Sequence, residues 1–163
     1  MRIGELTNGH SCEFEMQARF KEWIEAKGLK YIDELKIKQI PRIPDFLIFK
    51  PGNGLINVEA KSNAFECLLN QLEDNSAFCH YSFAFITDIC CTPIWFKKKL
   101  MDSGYGLIVY NTRTKNITEV LEAHKNQNFN KDLHKIVVSR IDRELILRKK
   151  KTDVDTQCSI DSF

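Results

Sequence analysis

The sequence is poor in most of the features by which a function is read at a glance. It has no Cys-x-x-Cys pair, and of its six cysteines Cys90 and Cys91 are adjacent, which is poor geometry for a shared tetrahedral zinc site. Cys12, Cys67 and Cys79 fall among apolar residues and read as small core groups. A disulfide stays open for a hyperthermophilic host, where intracellular bridges are common. The histidines at 10, 80, 124 and 134 show no ligand spacing. His80 reads as a strand-end residue and the others as exposed. There is no Gly-rich phosphate loop and no serine-nucleophile elbow, because Gly52-Asn53-Gly54 falls in a hairpin rather than before a helix. A net charge of +2 gives no global polyanion signal, so any nucleic-acid surface must come from local clustering. No charged-then-apolar leader opens the chain, and no apolar run approaches the ~20 residues needed to span a bilayer. The expectation is an intracellular protein, cytoplasmic or in a host cell if viral, with no membrane partner. Repeats and low-complexity tracts are also absent.

What is present is ordinary globular composition over 163 residues, enough for one domain with a single core. The domain is expected over residues 1–151, with a loose polar tail over 152–163. Ser11 can cap a helix from Cys12 to Lys27, with Gly28 as its stop. Cys12, Met16, Phe20, Trp23 and Ile24 form its apolar stripe. Leu35, Ile37 and Ile40 alternate with Lys36 and Lys38, which suggests a first strand before Pro41. A second strand opens at Pro44.

After Lys61, Ser62 or Asn63 can cap a second helix that buries Phe65, Leu68, Leu69 and Leu72, with Gln71 off that stripe on the surface. His80 to Thr87 is a dense apolar strand. Thr92-Pro93 opens a helix closed by Gly104, and Gly106 to Tyr110 is a further buried strand. Ile117, Val120 and Leu121 read as helical. Leu133, Ile136, Val137, Ile141 and Leu145 also recur at helical spacing, with two short strands turning near Ile141-Asp142 as the alternative. The order of elements predicts an α/β fold, a mixed central sheet flanked by helices on both faces.

The chemistry concentrates in the stretch from Pro44 to Lys61. Two apolar runs flank Pro51-Gly52-Asn53-Gly54, the pattern of two antiparallel strands and a tight turn. On the second strand Leu55, Asn57, Glu59 and Lys61 share one face, and Ile56, Val58 and Ala60 the other. A five-residue loop, Lys50 to Gly54, pairs Phe49 with Leu55 and so Asp45 with Glu59 on the same face. A four-residue loop would turn Asp45 away, because one residue of slip flips the face. The first register is the one expected. Three ionisable groups crowded at the rim of an apolar hairpin are costly unless they share a cation or compensate one another.

Pro44-Asp45 followed by Glu59-Ala60-Lys61 resembles the PD-(D/E)XK nuclease superfamily, with its restriction-endonuclease-like core. The resemblance is firm over the hairpin and loose over residues 12–110. The apolar strand, Pro-led helix and Gly-Tyr-Gly-Leu-Ile-Val strand also look like the MmcB-like DNA-repair branch, with a Holliday-junction-resolvase-like branch as the alternative. The resemblance implies that Asp45, Glu59 and the carbonyl of Ala60 hold Mg²⁺ or Mn²⁺, with Lys61 beside the attacking water. It also implies an acid on the first helix that faces the metal. Glu13 suits that place better than Glu15 because it leads the stripe, although both also favour a helix's positive N-terminus.

Two carboxylates suit a hard cation that takes oxygen ligands. The implied activity is metal-dependent hydrolysis of DNA phosphodiester bonds, on duplex or branched substrates, in repair, recombination or viral replication. A homodimer is the family expectation. The alternative is a nuclease-fold protein that binds nucleic acid without cutting it. Lys131, Lys135, Arg140, Arg143, Arg148 and Lys149 to Lys151 offer phosphate contacts, or else a solvated helix face.

Overall fold

The computed structural model describes residues 8–50, 52, 54–88 and 92–160, without the side chains of 8–11, 150 and 152–160. The elements run α1 (Asn8–Ala26), β1 (Lys30–Asp33), β2 (Phe46–Lys50), β3 (Gly54–Ala60), α2 (Phe65–Ser76), β4 (Tyr81–Thr87), α3 (Ile94–Ser103), β5 (Gly106–Tyr110), β6 (Ile117–Leu121) and α4 (Lys131–Ile160). One six-stranded sheet has its strands side by side in chain order. The pairs β1–β2, β2–β3 and β5–β6 are antiparallel, and β3–β4 and β4–β5 are parallel. This is the mixed α/β sheet that the element order predicts.

Helices cover both faces. Met16, Phe20 and Ile24 follow at every fourth residue on α1, so they form one stripe against Phe46, Val58, Phe85 and Ile108. Phe20 is the hub, stacked with Trp23 and in ring contact with Phe46 and Phe85. On the other face, Leu68 and Leu72 of α2 and Phe96 and Leu100 of α3 lie over Ala84, Ile86 and Leu107. Val137 and Ile141 of α4 lie with Ile32, Leu47 and Leu55. Strand β3 is therefore covered on both sides, which suits a strand with one antiparallel and one parallel neighbour.

Several expectations need correction. Helix α1 already includes Ser11, so Ser11 is not its cap, whereas Gly28 does stop it with a φ of 68°. The first strand is Lys30–Asp33, not the Leu35–Ile40 segment. Glu34 turns left-handed at φ 49° and ends it. Leu35 and Ile40 are nonetheless buried beside α4, so their alternation records packing of a loop. Helix α2 is capped by Ala64 and α3 by Pro93, neither with a side-chain cap bond.

Ile117–Leu121 is an edge strand rather than a helix, and three of its residues are β-branched. Helix α4 runs to Ile160, through the stretch from Thr152 expected as a loose tail, and it excludes the two-strand alternative. Cys79 is buried and Cys12 half-buried, but Cys67 is exposed. Cys90 and Cys91 lie outside the described residues. Among the described residues no helix is long and apolar enough to cross a membrane.

Candidate active site

The β2–β3 hairpin pairs Phe49 with Leu55 and Phe46 with Val58. Continued by one step, that register sets Asp45 opposite Glu59. The ladder closes with Lys50 paired to Gly54. Pairing thus runs one step further than the five-residue loop expected, and the register is the same. Gly54 has φ +80°, and a Cβ there would meet the His80 ring at 2.3 Å. The Leu55 N–H donates to His80 Nδ1 at 3.1 Å, which fastens the turn to the start of β4.

Asp45 sits at the entry to β2. Its Oδ2 accepts the Ala60 N–H at 2.8 Å, in place of a ladder carbonyl. Within a strand a residue's N–H and C=O point to the same side, so the Ala60 carbonyl also faces β2. Its partner position there is Pro44, which has no N–H to give. Proline before the aspartate thus leaves that carbonyl available at the strand end.

Glu59 is fully buried. Its Oε1 accepts from Asn75 Nδ2 of α2 at 2.7 Å, and its Oε2 has no partner. Asn75 occupies the third place of the buried α2 stripe Leu68, Leu72, Asn75. That spacing is visible in the sequence, and an amide on an apolar stripe is the signal by which this residue could have been found. Gln71, expected on the surface, is half-buried, and its Oε1 is enclosed without a partner. Both amide atoms of Asn57 and the Oδ1 of Asn75 share that condition.

Lys61 departs from simple alternation. Strand β3 ends at Ala60, and the Lys61 N–H donates to the Phe85 carbonyl at 3.0 Å. Its ammonium swings to the α1 side, where Nζ stands 3.4 Å from Glu13 Oε1. Glu59 faces α2 instead, so the site is assembled from both sides of the sheet's end. Glu13 is the α1 acid that faces the motif. Glu15 is held elsewhere, 2.9 Å from the Tyr110 hydroxyl and 2.6 Å from Lys115 Nζ.

Burial dominates the electrostatics. It raises the pKa of Asp45, against the Ala60 N–H and the Lys61 charge and with the help of Glu13. Burial and then the charge of Asp45 raise Glu59 to about 8, while the Asn75 amide pulls it down. The Asp45 charge disfavours ionisation of Glu59, and a cation placed at the pair would favour the charged form of both. The free Oε2 of Glu59, the second oxygen of Asp45 and the Ala60 carbonyl are hard oxygen donors, so this donor set fits Mg²⁺ or Mn²⁺. Among the described residues no group of three or more His, Cys, Asp or Glu side chains is gathered to hold a metal ion. Any ion here relies on two carboxylates and main-chain or water oxygens, with Glu13 engaged by Lys61.

His80 and His134 are not independent surface residues. Their rings meet at 4.9 Å, and His134 Nδ1 lies 2.8 Å from the Phe78 carbonyl, which docks the start of α4 on the sheet.

No family model matches the chain, and no curated protein matches it. Among solved structures, a protein of unknown function from Silicibacter pomeroyi is similar in fold, with a TM-score of 0.59 and 14% identity over 84% of this chain and 88% of that one. An XisH family protein from Nostoc punctiforme is similar with a TM-score of 0.50 and 12% identity, over 66% of this chain and 99% of that one. At such identities the likeness is one of fold.

Proposed function

We propose that this chain is a metal-dependent nuclease that hydrolyses DNA phosphodiester bonds. The observation that carries the reading is the hairpin register, which brings Asp45 beside Glu59 at a strand end where a buried carboxylate oxygen has no partner. Asp45, Glu59 and the Ala60 carbonyl would hold Mg²⁺ or Mn²⁺, which supplies a water of lowered pKa and polarises the phosphoryl oxygen. The chain's own residues do the rest. Asn75 fixes one oxygen of Glu59, and the other stays without a partner. The Ala60 N–H holds one oxygen of Asp45 and leaves its second free to act. Lys61, restrained by Glu13, offers a fixed positive charge to the phosphoryl oxygens as negative charge develops on them.

A second reading, a nuclease-fold protein that binds nucleic acid without cutting, is favoured by one observation. Glu59 is buried deeply enough to hold its proton near neutral pH. The test is cleavage of duplex, branched and single-stranded DNA with Mg²⁺ or Mn²⁺. Asp45→Ala and Lys61→Ala are expected to abolish it while the fold survives, and unchanged cleavage by both variants would remove the nuclease reading. Salt-sensitive binding with no cleavage of any substrate selects the second.

A further inference from the structure

The described surface carries a two-walled concentration of charge that the candidate active site leaves unused. Between the segment after β1 and the first half of α4 lies a groove of about 570 Å³. Lys36 and Lys38 stand on one wall, and Lys135, Arg140 and Arg143 on the other. All five are exposed. Arg140 is shared with Glu144 at 3.9 Å, while the other four form no ion pair with a described carboxylate. Lys135, Ser139 and Arg143 recur at every fourth residue, one line along α4 about 12 Å long.

The walls are held in place from beneath. Leu35 and Ile40 of the loop share one buried cluster with Val137 and Ile141 of the helix. Like charges fixed around one groove repel each other, and a polyanion relieves that repulsion. The groove is concave and walled on two sides, so it suits a rod-like polyanion rather than a flat bilayer. From Gln39 the chain reaches Asp45 in six residues, a span of at most about 22 Å. A duplex strand covers that in roughly six steps of ~3.4 Å. Helix α4 also lies on the sheet face to which Leu55, Asn57 and Glu59 point.

We infer that this groove is the track along which a nucleic-acid duplex lies, its phosphates held by Lys36, Lys38, Lys135 and Arg143 while its backbone runs on toward Asp45 and Glu59. The identity of the polyanion as DNA rests on the proposed function, whereas the position of the surface rests on the groove alone.

The experiment measures binding without cleavage. Full-length protein carrying Asp45→Ala is titrated into a labelled DNA duplex of mixed sequence, in chelator, over a range of salt concentrations. Adding K36A, K135A and R143A together is expected to weaken binding at least roughly tenfold and to lower the salt slope by about two to three. The control removes the same charge from α3 by K97A, K98A and K99A, three exposed lysines outside the groove, and is expected to bind like the parent. Equal binding by the groove variant, an equal loss in both triple variants, or capture by anionic vesicles with no affinity for duplex would each overturn the inference. If the groove variant alone loses the duplex while the wild-type protein cuts nothing, the groove stands and the nuclease reading falls.

Discussion

Asn75 Nδ2 stands 2.7 Å from Glu59 Oε1, and both side chains are fully buried. An amide donor on α2 thereby fixes an acid on β3, and the other oxygen of that acid stays unpartnered. Asn75→Ala strips the Glu59 carboxyl of its amide donor from α2, and leaving a buried acceptor unmade costs about 1–3 kcal/mol. The expected result is a loss of that size by denaturant unfolding, together with weaker Mn²⁺ binding. An unchanged metal titration in a folded variant would show that Asn75 does not orient Glu59.

Glu13 restrains Lys61 at 3.4 Å, with both side chains about one-quarter exposed. An ion pair of this kind contributes little stability, under about 1 kcal/mol. Glu13→Gln should therefore fold normally. It should bind metal with near wild-type affinity and cleave more slowly, because the ammonium loses its tether. If it abolishes metal binding as fully as Glu59→Gln does, Glu13 is a ligand rather than a tether.

The pH dependence follows from the buried acids. The pKa of Glu59 in the fold, about 8, lies above its ordinary 4.5. The folded protein therefore binds more protons than the unfolded chain between those values, and this contribution is full below about 4.5 and lost as pH rises through about 8. Asp45 is shifted the same way. His80 is shifted down, so it acts in the opposite sense only on the acid side of its ordinary value. In chelator, the unfolding temperature should fall between about pH 6.5 and about pH 8 and level off above, and Glu59→Gln should flatten that slope. A divalent cation must displace the proton, so its affinity should rise over the same interval. An equal slope in wild type and Glu59→Gln would locate the effect elsewhere.

The hairpin was legible because three signals agree in it: alternation, a Gly-rich turn, and a proline that can only open a strand. Gly106–Tyr110 is legible as a short apolar run after a helix-closing glycine, and it matches its expected bounds. The misreadings have local physical causes. Leu35, Ile37 and Ile40 alternate like a strand, but Glu34 has already turned left-handed. Ile117, Val120 and Leu121 fit a helical spacing, but the segment pairs with β5, a long-range bond that periodicity does not register. Alternation puts Lys61 beside Glu59, but β3 ends at Ala60, which frees the long side chain to reach α1. Asn75 is silent in the apolar pattern because an amide on a buried stripe carries no hydrophobic signal.

The turn itself can be tested. Gly54→Ala puts a Cβ 2.3 Å from the His80 ring at a left-handed φ of +80°, two of the mechanisms behind large destabilisation. A loss of more than about 1 kcal/mol is expected by denaturant unfolding. A neutral result would mean that the turn relaxes, and with it the register that aligns Asp45 with Glu59.

The most direct measurement is a crystal of the full-length protein soaked in Mn²⁺ and recorded at an energy where manganese scatters anomalously. The expected result is one anomalous peak bounded by the Asp45 carboxylate, the free oxygen of Glu59 and the Ala60 carbonyl. A map with no peak at that place, in crystals whose Asp45 and Glu59 side chains are well ordered, would contradict the metal centre on which the nuclease reading depends.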